Sequence, residues 1–490
     1  MSSTMLSKSR YLNGLQCPRL LWIASNESER IPEPDAATQH IFDQGHLVGE
    51  LARKLFPGGI DVPADDFMAN IAMTKDLLQQ RRPLFEAGVL SGKIYSRVDI
   101  LNPENEDEWD IIEVNSSTSV KEVNLHDVSF QKLCWEDSGV RIRKCFLAFI
   151  NNQYVRNGEI NPKEFFSVQD ITGEVAVASE GIRDRIAHML EVIGASICPE
   201  VTIGLHCSDP YDCSLTDCWD GLPEHNVFTL YYGGKKSHEL YRSGVQSIAD
   251  IPAGYKLNDK QRIQCGCVAS GTPYVDKGAV RQFLTSLEYP LYYLDFETFG
   301  TAIPLFDGTR PYQNIPFQFS LHTQESAGGE VKHFAFLAEG RQDPRPELLV
   351  SMSRLIGNGG SGSIVAYNKS FEEGVLKDLG NAFPEYAGWV DGVISRLVDL
   401  IVPFRGFHYY HPSQKGSASL KSVLPAITGR GYEEMPIGKG DDASLAFLSI
   451  TFGDVSSEEL ARIREELLAY CALDTEGMVR IVERLREMVV

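Results

Sequence analysis

The segment Leu291-Tyr292-Tyr293-Leu294-Asp295-Phe296-Glu297 constrains the fold most, because an apolar run of strand length ends in two carboxylates. Side chains alternate across a strand, so Asp295 and Glu297 point to the same face. Clustered carboxylates repel one another without a cation. The arrangement suits two divalent ions about 4 Å apart, one activating water and the other stabilising the leaving oxygen of a phosphodiester. Taken alone, a strand Asp-x-Glu equally fits a solvated surface face, so the rest of the segment has to decide. Ile315 to His322, His333 to Leu337 and Ser363 to Tyr367 read as further strands, the last leading into a helix near Ser370. Ser456 to Met488 opens with a capping-box pair, Ser456 and Glu459, and continues at helical spacing. Strands followed by helices predict an α/β domain over residues 281–490. On the terminal helix, i,i+4 spacing puts Tyr470 and Asp474 on one face, with Asp474 binding metal and Tyr470 orienting or helping to deprotonate the attacking water.

A chain of 490 residues has room for at least two sizeable cores. In residues 1–280, Phe42 to Leu55 and Asn124 to Trp135 read as helices, and Gly92 to Leu101, Trp109 to Asn115 and Arg143 to Ile150 as strands. The formal charge of -21 argues against coating nucleic acid through bulk positive charge. It leaves a nuclease open, because basic contacts are local and metal ions offset carboxylates. No segment reaches about 18 uncharged apolar residues and the N-terminus lacks a signal-peptide core, which predicts a cytoplasmic protein with no membrane partner. Ten cysteines are too few for a secreted disulfide scaffold. Cys207, Cys213 and Cys218, with the remote Cys17, form a set able to hold a tetrahedral zinc or a [4Fe-4S] cluster, and spacing alone does not choose the metal. Between Phe404 and Lys421 aromatic and basic residues alternate. Arg405, Tyr409, Tyr410, Lys415 and Lys421 are expected to stack on bases and contact phosphates of a single-stranded end, although such aromatics equally fit a core.

Leu294 to Thr298, together with the Tyr470 to Asp474 spacing, resembles the first and last motifs of the DEDD exonuclease superfamily, tyrosine subclass, on an RNase H-like fold. Asn368-Lys369-Ser370-Phe371-Glu372 resembles that family's middle motif, with Glu in the Asp position, and Asp399 is an alternative or supporting carboxylate. The resemblance spans about 290 to 485 and implies a 3'-to-5' exonuclease using Mg2+ or Mn2+ on Asp295, Glu297, Glu372 and Asp474. In the N-terminal half, Ser7, Ser9, Leu12 and Cys17-Pro18, the central Asp99 and Glu113, and the trailing cysteines resemble the iron-sulfur RecB-like nucleases, including the CRISPR-associated type. That implies a PD-(D/E)XK restriction-endonuclease-like domain over 1–280, with Asp99 and Glu113 binding a metal ion and Cys17, Cys207, Cys213 and Cys218 holding a [4Fe-4S] cluster. Gln131 with Trp135 resembles the family's Gln-x-x-x-Tyr motif. Asn115 stands where that family has a lysine, and an amide is no general base; Lys121 serves only if the chain turns back. The histidine position falls at Gly49, leaving His46 or Glu50 as substitutes. Ser116 to Ser119 suit contact with phosphate through hydroxyls and backbone amides, although a polar turn predicts the same letters. Over its whole length the chain resembles a poorly characterised bacterial family fusing the two nuclease types. The expected function is metal-dependent hydrolysis of nucleic acid, a 3'-to-5' DNA exonuclease beside a second RecB-like nuclease or DNA-binding domain. The competing readings are a catalytically decayed scaffold that binds DNA ends, and a zinc-stapled structural protein.

Overall fold

A computed structural model describes residues 5–357, 360–433 and 435–489. The chain forms two compact units, one running to Gly221 and including Thr301–Tyr312, the other made of Leu222–Gly300 and the chain from Gln313 onward. The sequence reading places the divide at 280/281, whereas residues 222–280 group with the C-terminal unit. Packing explains this, because Cys267 shares a buried cluster with Phe407 and Tyr410. Thr301–Tyr312 groups with the first unit because Ala302 is buried among Val48, Ile100 and Phe165. Arg156 Nη1 also donates to the carbonyls of Pro304 and Leu305 at 2.8 and 2.6 Å.

The first unit is built on strands β1 (Leu6–Ser7), β2 (Ile60–Asp61), β3 (Leu84–Ser91), β4 (Ile94–Glu104), β5 (Glu108–Asn115), β6 (Arg141–Ile150) and β7 (Phe166–Asp170). They run in the order β2-β3-β4-β5-β6-β7, with β1 added alongside β4 in parallel. β4 and β5 are antiparallel, and β5 continues through the helix Glu122–Asp137 into parallel β6. That crossover helix buries Val128 and Trp135 among Ile111 and Leu147 of the sheet, and Phe130 and Cys134 among Tyr11 and Leu21. After β1, Ser7 caps the helix Lys8–Gln16 by accepting from the Arg10 amide, so Lys8 sits at the junction of strand and helix.

The second unit contributes β8 (Tyr274–Val275), β9 (Leu291–Phe299), β10 (Ile315–Gln324), β11 (Val331–Leu337), β12 (Ile364–Ala366), β13 (Leu397–Asp399) and β14 (Tyr409–Tyr410). Its main sheet runs β11-β10-β9-β12-β13, antiparallel on one side of β9 and parallel on the other. Alternation along β9 sends Leu294 and Phe296 into a cluster with Leu348, Leu376 and Val390, and Tyr293 into one with Leu424, Val479 and Ile481. Each such buried side chain contributes roughly 1.5–3 kcal/mol, the kind of gain that offsets gathering carboxylates on the Tyr293 face. A Cβ at Gly477 would stand 2.8 Å from Leu424, so glycine lets the terminal helix Ser457–Val489 lie close against the helix Leu420–Thr428. Among the described residues no helix is long and apolar enough to cross a membrane.

Both units are α/β with mixed sheets, and the finer fold expectations are corrected on one point of geometry. Among the described residues, Asp295, Glu297 and Cys471 form the group whose potential ligand atoms lie within 4.8 Å of one another; Cys17, Cys207, Cys213 and Cys218 do not form one. Cys17 is buried among Leu20, Leu21, Met189 and Leu215, where it serves packing. The Cys213 amide donates to the Cys207 carbonyl at 2.8 Å, and burial pushes the Cys213 and Cys218 thiols up. The expected four-cysteine element, and with it the [4Fe-4S] cluster or zinc ion as cofactor, is corrected by this geometry.

Candidate functional site

In the second unit four carboxylates arrive from three elements. Asp295 and Glu297 share one face of β9, Glu372 lies in the first turn of the helix Ser370–Ala382, and Asp474 lies in the terminal helix. Glu297, Glu372 and Asp474 are buried and Asp295 is half-buried. Burial pushes the Asp295 carboxyl well above the usual range, and the charges of Asp474, Glu297 and Glu372 push it further. Glu297 is raised by burial and Asp474, with Lys421 opposing. Asp474 rises to about 6 through burial, opposed by the Tyr432 hydroxyl, which donates to its Oδ1, and by Lys421. Glu372 rises to about 8, chiefly through burial and with Asp399 adding to it. Its Oε2 is buried with no hydrogen-bond partner. The Cys471 thiol is itself pushed up and donates to Asp295 Oδ2 at 3.6 Å, so it acts as a donor to the cluster.

The surrounding residues hold this arrangement in place. Asp399 Oδ1 accepts from the amides of Asn368 and Ile401 at 2.9 and 3.1 Å, a positioning role for the supporting carboxylate. Asn368 has φ +69°, a left-handed conformation that Asn tolerates better than most residues. Lys421 sits 5.4 Å from the Tyr470 ring and 5.7 Å from the Tyr432 ring. Burial and the neighbouring carboxylates push the Tyr470 phenol up, so its hydroxyl is available as a hydrogen-bond donor.

Beside the cluster opens a cleft of about 510 Å³, lined among others by Asp295, Asp474, Asn368, Arg405, Lys421, Tyr231 and Tyr232. Two of the five expected nucleic-acid contacts, Arg405 and Lys421, therefore face it. Lys415 is ion-paired with Glu224 at 3.1 Å. Tyr409 and Tyr410 are buried, Tyr410 stacking on Phe407 at 4.7 Å, so they belong to the core. Tyr231 and Tyr232 escape a sequence reading because their segment carries little periodicity; their doublet is the only signal.

The first unit has an acidic centre of its own. Asp99 on β4 and Glu113 on β5 lie just past the Ile100–Ile112 pair, and Asp99 Oδ2 accepts from the Val114 amide at 2.8 Å. Lys8 Nζ lies 2.6 Å from Glu113 Oε1 and 3.2 Å from Asp127 Oδ2. Gln131 Nε2 donates to Glu113 Oε2 and Asp127 Oδ1, both at 2.8 Å. Burial alone would lower the Lys8 pKa, but Asp127, Glu113 and Asp99 outweigh it and raise it well above its ordinary value. Burial raises Asp127 to about 6, with Lys8 opposing, and raises Asp99 with Glu113 adding to it. The resemblance implies a lysine at 115, with Lys121 as a substitute; the lysine beside Glu113 is Lys8, brought there by the β1–β4 pairing. Asn115 accepts from the Ser117 amide at 2.8 Å as a turn residue, and Trp135 is fully buried core. His46, Glu50, Lys121 and Ser116 to Ser119 line a cleft of about 1330 Å³ with Lys8, Asp99 and Glu113.

Residues 292–419 match the family described as a domain of unknown function, DUF2779. The chain is similar to the Uncharacterized protein MG366 homolog of Mycoplasma pneumoniae, 26% identical over 208 residues, 39% of this chain and 31% of that protein. It is also similar to Uncharacterized protein MG366 of Mycoplasma genitalium, 26% identical over 219 residues, 40% of this chain and 32% of that protein. Uncharacterized protein UU173 of Ureaplasma parvum is 24% identical over 217 residues, 40% of this chain and 31% of that protein. The chain thus spans about a third of the length of the curated relatives it matches. The expected membership in a family joining RecB-like and DEDD nucleases is corrected by these findings to a DUF2779 match over part of the second unit. Asp-x-Glu and Tyr-x-x-x-Asp recur wherever strand or helix periodicity puts polar groups on one face, so the letters did not define a family.

Proposed function

We propose that the second unit hydrolyses nucleic-acid phosphodiesters with the help of a divalent cation. The observation that supports this reading is that Asp295 feels the charges of Asp474, Glu297 and Glu372, with Asp295 and Asp474 lining a cleft and a Glu372 oxygen buried and unpartnered. Native proteins rarely leave a buried carboxylate oxygen unmatched, and a hard cation with oxygen ligands is the natural match. When bound, such an ion lowers the pKa of a coordinated water and offsets charge on the phosphate. The chain's own groups would hold it through the four carboxylates, keep Asp295 oriented through the Cys471 thiol, and offer the Tyr470 hydroxyl as a hydrogen-bond donor to a water. Lys421 and Arg405 on the cleft wall suit phosphate oxygens. In the first unit, Lys8 already neutralises part of the acidic pair, which favours a nucleic-acid-binding role for its cleft.

The test incubates wild type, Asp295→Asn and Glu113→Gln with end-labelled single- and double-stranded DNA and RNA in Mg2+ or Mn2+, with products resolved at single-nucleotide resolution. The expected result is cleavage lost in Asp295→Asn and kept in Glu113→Gln, and the ladder reports direction. Asp295→Asn removes one of several mutually repelling charges, so loss of folding is not expected to confuse the outcome. Undiminished cleavage by Asp295→Asn would overturn the assignment.

A further inference from the structure

We infer that Tyr232 is a stacking platform for an unpaired base, and that the cleft of the second unit takes single-stranded nucleic acid. The inference rests on the hydrolytic reading of the neighbouring carboxylates and adds the form of the substrate. Tyr232 is 80% exposed, yet it lines the same cleft as Asp295 and Asp474. Its backbone has φ +45°, a conformation unfavourable for an aromatic residue that persists only where the surroundings enforce it.

The surroundings do enforce it. The Tyr231 amide donates to Gln264 Oε1 at 2.7 Å, and Gln261 Nε2 donates to the Tyr231 carbonyl at 3.0 Å. Both glutamines are buried on the helix Asp259–Ser270. The Gly233 amide closes the turn onto the Leu230 carbonyl at 2.8 Å. On the far side Gly416 comes so close that a Cβ there would stand 2.2 Å from the Thr229 carbonyl oxygen. The Tyr231 ring is wedged edge-on between Phe407 and Tyr232, with centroid separations of 4.7 and 4.6 Å. A large apolar ring is thus held out in solvent on a rigid mount, where burial would be the cheaper outcome.

Chemistry selects the occupant. An exposed aromatic face beside Arg405 and Lys421 offers stacking for a base and positive charge for a phosphate, the combination that binds single strands without reading sequence. A base inside a duplex has no free face to give, so a duplex end would have to fray first. With a net charge of -21, attraction to a polyanion has to be local, and this wall supplies it.

The experiment uses the full chain carrying Asp295→Asn, with and without Tyr232→Ala or Tyr232→Phe. Fluorescence anisotropy follows binding of labelled oligodeoxythymidylate, oligouridylate and a blunt DNA duplex in Ca2+. Tyr232→Ala should weaken single-strand binding about tenfold to a hundredfold, while Tyr232→Phe, which keeps the ring, stays within about twofold of the parent. Oligodeoxy- and oligoribonucleotide arms separate DNA from RNA as the source of the same chemistry. Unchanged affinity in Tyr232→Ala, or a duplex bound as tightly as a single strand, would overturn the inference even if wild type cleaves. Tyr232-dependent binding by a wild type that cleaves nothing would instead overturn the hydrolytic reading and leave the stacking platform standing.

Discussion

Each unit gathers carboxylates in a cleft, and the two balance that charge in opposite ways. In the first, Glu113 and Asp127 share Lys8, Gln131 bridges them, and Asp99 is held by a backbone amide. In the second, Asp474, Glu297 and Glu372 all raise the Asp295 carboxyl, Lys421 is the opposing charge felt by Glu297 and Asp474, and a Glu372 oxygen has no partner. In the first centre a lysine sits within 3.2 Å of two carboxylates, whereas in the second Lys421 offsets only part of the repulsion. An excess of buried carboxylate over cation is destabilising, and the proposed ion would relieve it.

The most severe way to break this contrast is to remove a ligand on each side. Glu297→Gln should lower hydrolysis by about a thousandfold or more, because a cation that is not held cannot activate water. Glu113→Gln should leave the rate unchanged in the same gel assay. Equal losses in both variants would mean that the units share one chemistry and that the contrast is false.

Lys8→Met probes the first unit directly. Removing one partner of a largely buried ion pair typically costs about 3–5 kcal/mol, and with the Lys8 side chain 29% exposed the lower end, about 3 kcal/mol, is expected. Urea unfolding reads it. Adding Glu113→Gln to Lys8→Met should restore part of the loss, since no unmatched charge then remains at that pair. Failure of the double variant to recover any stability would show that Lys8 matters for its stem and not for its charge.

The pH dependence sharpens the same contrast. Asp474 and Glu372 are raised, to about 6 and about 8, so across the window from the ordinary carboxylate range to those values the folded state binds more protons than the unfolded one. Stability of the second unit without divalent ions should therefore fall as pH rises from about 4 to about 8. Mn2+ should flatten that fall and should do nothing in Glu297→Gln. Scanning fluorimetry in chelator and in Mn2+ over the window measures both. A melting temperature that climbs with pH in chelator would show that the carboxylates are compensated after all.

What the sequence made legible follows from the range of the physics involved. The β9 carboxylates could be read because a period of two fixes their face within one strand, and Tyr470 with Asp474 because i,i+4 does the same within one helix. Lys8 could not, because its partner Glu113 is 105 residues away and the meeting depends on a two-residue strand. For Tyr409 and Tyr410 the sequence leaves binding wall and core equally open, because an aromatic beside a basic residue looks the same in both, and packing decides for the core. The spacing of the cysteines suits a metal, yet among the described residues they do not form a group with all ligand atoms within 4.8 Å of one another. Local periodicity is written in the letters, whereas convergence of distant side chains is a property of packing.

The smallest expected effect tests how provisional the second unit's balance is. Tyr432 donates to Asp474, its ring lies 5.7 Å from the Lys421 ammonium, and both groups stabilise the charged form of Asp474. Tyr432→Phe keeps the ring and removes the donor. In chelator the variant should be about 1 kcal/mol less stable, the usual net worth of such a hydrogen bond, with the Asp474 carboxyl pushed further up. In Mn2+ the sign should reverse, because an Asp474 oxygen freed from the phenol binds an ion more readily, and the melting-temperature gain should reach half its maximum at a few-fold lower Mn2+. A higher Mn2+ requirement would instead mean that Tyr432 helps hold Asp474 in its ion-binding rotamer. The phenol would then be part of the finished site, and the charge contrast between the units would narrow to Glu372 alone.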